Sequence, residues 1–171
     1  MLGKNVTTKE ALYLVDLESE DKLEQAIKDG LVNPVKGDNK KDSFALHDLV
    51  TLKLALSMVD LGLAPGRAIR YAEATLGVGS NQTFNKTMAW IDGETHELFC
   101  LLADKQLSRI FLRGIDDNRE IDVGAEKPVL FPVSKCELNV SRTIRPMITR
   151  AQQLISSQKK EPKPESTKNQ Q

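Results

Sequence analysis

The sequence predicts an α+β fold built as an N-terminal helix-turn-helix with a hairpin wing, followed by a small antiparallel β-sheet, a long C-terminal helix and a disordered tail. Three observations carry this. Capped segments with apolar residues three and four apart crowd the first 77 residues, strand-like runs follow Ser80, and helical spacing returns from Leu138. The expected boundaries are a winged helix-turn-helix at 1–77, a linker at 78–86, a small α/β unit with its C-terminal helix at 87–156, and a tail at 157–171.

Thr7-Thr8-Lys9-Glu10 has the form of a capping box and opens a first helix with Ala11, Leu12, Leu14 and Val15 facing inward. Ser19 is placed to cap a second helix, Glu20 to about Asp29, with Leu23, Ala26 and Ile27 on one side and Gly30 closing it. Two short helices with a tight break read as a helix-turn-helix. Asn33 precedes Pro34 and is pushed toward extended backbone. The turn-rich run Lys36 to Asp42 and the short strand Ser43 to Leu46 then complete a β-hairpin wing.

A third helix from about His47 to Asp60 is apolar almost all round and must be mostly buried. Gly62 stops it, and Pro65 suits the first turn of a fourth helix that turns Ala68, Ile69, Ala72 and Leu76 inward. Beyond the glycines 77 and 79, strands are expected at Thr87–Ile91, His96–Ala103 and Leu107–Arg113, with Pro128–Val133 as a further one. Trp90, Phe99, Phe111 and Phe131 are expected to fill the core of that sheet, although an effector or partner site is the alternative use.

From Leu138 the apolar positions Val140, Ile144, Met147, Ile148, Ala151, Leu154 and Ile155 repeat at helical intervals, with Pro146 predicting either a kink or a start near it. That stripe suits pairing with a second copy, giving a homodimer, or covering its own sheet. After Ser156 no hydrophobic residue follows, a composition that cannot support a core.

The 24 basic and 24 acidic side chains of the 171 residues cancel, so any attraction to nucleic acid must come from local patches. The first residues lack a signal-peptide pattern and no apolar run is long enough to span a bilayer, which predicts a cytoplasmic protein without membrane contact. Cys100 and Cys136 stand apart in apolar contexts and read as buried reduced thiols. His47 and His96 share no metal-ligand spacing, and the glycines at 77 and 79 lack the lysine of a phosphate loop. The chain therefore reads as a non-enzyme with no cofactor and no metal.

In three places the N-terminal unit resembles MerR-type regulators: Asp29-Gly30-Leu31-Val32 with Pro34, Asp48-Leu49 followed by Leu52 and Leu56, and Leu61-Gly62-Leu63-Ala64 with Ile69. The resemblance ends before Ser80 and implies double-stranded DNA as partner and transcription regulation as function. Where that family usually carries Thr-Ile-Arg-Tyr-Tyr-Glu, this chain has Lys22-Leu23-Glu24-Gln25-Ala26-Ile27, so Glu24 replaces an arginine among acidic Glu18, Glu20 and Asp21. Like charge weakens the phosphate term of DNA affinity.

The expected DNA-binding residues are Lys22, Gln25 and Lys28 on the second helix, Lys36, Lys40 and Lys41 in the wing, and Arg67 and Arg70 after the third helix. Two alternatives stay open at this level. One is a phage-type architectural, packaging or excision factor; the other is a protein-interaction module that has lost DNA binding.

Overall fold

A computed structural model describes residues 5–36, 42–93, 96–114, 118–120 and 131–158. These form a mixed α+β fold with two antiparallel sheets, of three and four strands, and six helices among the described residues.

The chain enters as a short strand, β1 (Asn5–Thr7), which was not anticipated because three residues carry no pattern of their own. It becomes a strand by pairing with β3 (Asp42–Ala45), whose other side takes β2 (Val35–Lys36), the two arms of the expected wing. The helix α1 (Thr8–Val15) starts at a complete capping box, Thr7 accepting from the Glu10 amide and Glu10 accepting from the Thr7 amide. It ends at Asp16, whose φ of +67° is unusual for a residue other than glycine. Helix α2 (Glu20–Lys28) begins after Ser19 as expected, but the Ser19 side chain makes no capping hydrogen bond.

Helix α3 (Leu46–Asp60) is the axis of the N-terminal half. Leu49, Leu52, Leu54, Ala55 and Met58 are fully buried in it, on all sides, as its sequence requires. Pro65 stands at the start of α4 (Pro65–Leu76), and Gly77 closes that helix at φ +71°.

The next element departs from expectation. Residues Asn81–Asp92 form a helix, α5, where the end of a linker and a strand at Thr87–Ile91 were predicted. Ser80 caps it by accepting from the Thr83 amide at 3.5 Å, and Phe84, Thr87 and Ile91 line its buried side at helical, not alternating, intervals.

The four-stranded sheet then follows as β4 (His96–Ala103), β5 (Gln106–Gly114), β6 (Asn118–Glu120) and β7 (Lys135–Asn139), in the order β6-β5-β4-β7. The strand expected at Pro128–Val133 is not there: Phe131–Ser134 is irregular, residues 128–130 lie outside the described residues, and the strand is β7. Asp104, in the β4–β5 turn, explains why. Its carboxylate accepts from the amides of Val133 and Ser134 at 3.0 and 2.8 Å, and those amides are thereby lost to any ladder. Pro132 has no amide to give.

Helix α6 (Val140–Gln158) closes the fold, starting at Asn139, whose side chain accepts from the Arg142 amide at 2.9 Å. Pro146 lies inside it, on an exposed side, at the loss of one helical hydrogen bond. Of the 157–171 tail, Ser157 and Gln158 belong to this helix and 159–171 lie outside the described residues. Val140, Ile144, Met147 and Ala151 are buried in their own chain, so most of the apolar stripe is used intramolecularly. One continuous cluster of buried side chains runs from Val6 through α3 and α5 to Ala151. No described helix is long and apolar enough to cross a membrane.

Candidate nucleic-acid interface

The α1–α2 turn is fastened from behind. Lys53 of α3 donates to the carbonyl of Val15 at 2.8 Å, and Arg150 of α6 donates to that of Tyr13 at 3.2 Å. Cations at the carbonyl end of a helix also complement its dipole. With Leu23 and Ala26 buried against this support, the opposite side of α2 is left to solvent.

Lys22, Gln25 and Lys28 are exposed, three residues apart and therefore in a row, as anticipated, with Lys22 and Gln25 bordering a cleft between α2 and the Lys53, Leu56 and Asp60 side of α3. Each is engaged by a neighbour on or beside the same helix. Lys22 meets Glu18 at 2.6 Å, Gln25 donates to Asp29 at 2.8 Å, and Lys28 lies 3.9 Å from Glu24. The hydrogen bond from Lys22, and then its charge, hold the Glu18 carboxyl below the usual carboxylate range. From Asp16 to Asp29 there are six acidic side chains and two lysines, a net charge of −4. The row of donors thus sits in an acidic surround.

Lys36 is exposed in β2, beside Val35, and the hairpin is fixed by Ser43, whose hydroxyl donates to the Val35 carbonyl at 2.9 Å. Lys40 and Lys41 lie outside the described residues. A cleft that brings Gly30–Asn33 together with Ile69 and Glu73 places one side of α4 against the segment that leads into β2. Arg67 and Arg70 are exposed on α4, but Arg70 borders the α4–α5 corner together with Gly77 and Ser80, and its Nε donates to the carbonyl of Gly66 at 3.1 Å. Of the predicted residues that are described, Lys22, Gln25 and Lys28 share one row on α2, Lys36 lies on the hairpin, and Arg67 and Arg70 lie on α4.

His47 is in the first turn of α3, 3.0 Å from Asp48, and His96 begins β4. Among the described residues no three His, Cys, Asp or Glu side chains gather as a metal site. Cys100 is buried, and burial pushes its thiol up to about 12, whereas Cys136 is only half-buried, short of the full burial expected for it.

Sequence reading missed the cations that hold the halves together. Arg145 donates to the carbonyls of Ile91 and Gly93 at 2.7 and 2.8 Å, capping the end of α5, and reaches Glu97 at 3.4 Å. No local pattern marks such a residue, because its partners lie about fifty positions away.

No protein-family model matches this chain, and no curated protein matches it either.

Proposed function

We propose that the chain is a DNA-binding protein, a transcriptional regulator in which a MerR-like winged helix-turn-helix approaches duplex DNA with the exposed row of α2 and with the wing. The observation that carries this reading is the arrangement within residues 5–76. A braced α1–α2 turn leaves Lys22, Gln25 and Lys28 facing solvent, and an antiparallel hairpin follows with Lys36 exposed on it. Glutamine pairs at two points with adenine, and lysines on a hairpin track phosphates. The second sheet and α6 form the portion that senses, dimerises or recruits.

A specific observation favours a second reading, a protein-interaction module without DNA. The lysines of α2 are matched by Glu18 and Glu24, and the surrounding charge is negative. Titration of a fluorescent random duplex with wild type and with Glu18→Gln/Glu24→Gln separates the two. If α2 faces phosphate, release of Lys22 and Lys28 tightens binding at low salt and steepens its salt dependence. A protein-interaction module binds in neither form.

A further inference from the structure

Phe131 was expected in the core and is instead 90% exposed, so it fills no part of it. An apolar recess stays open in the body of the fold. A cleft of about 170 Å³ lies between α3, α5 and α6, walled by Leu46, Val50, Met88, Met147, Ile148 and Ala151. Of these, Leu46, Val50, Met147 and Ala151 are only 1–4% exposed and sit deep in it, whereas Met88 and Ile148 are half-buried. Protein interiors leave few spaces larger than a water molecule. A recess of this size therefore forgoes contacts that a bound molecule restores.

Its size and lining define what fits. An apolar cavity of about 150 Å³ takes a benzene ring, whereas pockets for drug-sized ligands run from about 300 Å³ upward. A single ring fits here and a fused pair does not. Met88 and Met147 line the cleft from α5 and α6, and thioether contacts favour an aromatic ring over a saturated one. Among the described residues that line it none is cationic, so an anion finds no partner. The one ionisable group, Asp92, is exposed at the rim, where water screens its pull on a cation.

The cleft also adjoins the supports of the candidate interface. Two of its walls, α3 and α6, are the helices from which Lys53 and Arg150 hold the carbonyls of Val15 and Tyr13. Arg150 stands between Ile148 and Ala151 in sequence.

We propose that the α3–α5–α6 cleft binds a small uncharged aromatic molecule of one ring. This gives a ligand class to the sensing role proposed above and rests on that reading for its purpose, while the binding itself needs no DNA.

Fluorine NMR of fluorobenzene with the full chain, without DNA, tests this. The probe signal shifts or broadens saturably as protein is added, and benzene displaces it. Ala89→Phe, at an exposed position on the edge of the cleft, lays a ring over the mouth and weakens binding by about tenfold or more. Far-UV circular dichroism checks the fold, and Ile148→Phe repeats the test from the α6 side should the first variant lose it. At neutral pH 4-fluorobenzoate binds more weakly than fluorobenzene by about tenfold or more, because its carboxylate loses water against an apolar wall. 1-Fluoronaphthalene also binds more weakly, although it is the more hydrophobic probe. No saturable shift with wild type, undiminished binding by a folded mouth variant, or either larger probe binding as well as fluorobenzene overturns the proposal. A failure to bind DNA leaves all of these outcomes standing.

Discussion

Arg150 and Asp16 meet at 3.1 Å, tying α6 to the turn between α1 and α2. The same guanidinium donates to the carbonyl of Tyr13, 137 positions away, and lies 5.6 Å from the Tyr13 ring. Arg150 is largely covered, whereas Asp16 is open to water, so the charge pair itself contributes little and the carbonyl bond and ring contact carry most of the effect. Arg150→Ala should cost about 1 kcal/mol and lower the melting temperature by about 2–4 °C. Asp16→Asn, which keeps a side chain tolerant of positive φ, should cost less. Calorimetric unfolding of the two variants and their combination measures the coupling.

Gly77 and Gly30 share a φ of +71° but differ in surroundings. A Cβ at Gly77 would stand 2.4 Å from Thr83 Cγ2, whereas one at Gly30 meets nothing within 4 Å. Gly30→Ala should therefore cost only the backbone term, about 1 kcal/mol. Gly77→Ala should cost clearly more, and adding Thr83→Ala should recover part of the excess. Urea midpoints of the three variants decide this.

Glu97 couples stability to pH. The hydrogen bond from Asn139, and then the charges of Arg142 and Arg145, hold its carboxyl below the usual value of 4.5 despite the opposing effect of burial. A carboxyl depressed by folding stabilises the native state fully above its unfolded value and loses that contribution as pH falls through the folded one. Glu97→Gln should thus be less stable than wild type at neutral pH, and the difference should shrink below pH 4.5. Urea unfolding in neutral and acid buffer checks the sign.

Much of this fold was legible because its signals are local. The capping box at Thr7 and Glu10, Pro65 at a helix start and Gly77 at a helix end each announce a boundary within a few residues. The failures came where a local cap was passed over or where a distant contact decides. Thr87, Met88 and Trp90 read as strand, yet the Ser80 cap and the buried row Phe84, Thr87 and Ile91 make that segment helical. Phe131-Pro132-Val133 has strand composition, but Asp104 takes the amides of Val133 and Ser134. At the candidate interface the exposure of Lys22, Gln25 and Lys28 followed from helical periodicity, whereas the bracing by Lys53 and Arg150 depends on residues far along the chain.

The central claim rests on whether this surface holds phosphates. Fluorescence anisotropy of a random duplex, titrated across a salt series with wild type and with Lys40→Glu/Lys41→Glu, tests it most directly. The account predicts that wild type binds at low salt with log K falling linearly in log salt, and that the wing variant binds more weakly with a slope shallower by about two, one per lysine lost. Absence of wild-type binding even at the lowest salt contradicts the DNA reading, and undiminished binding by the variant contradicts the assignment of the wing.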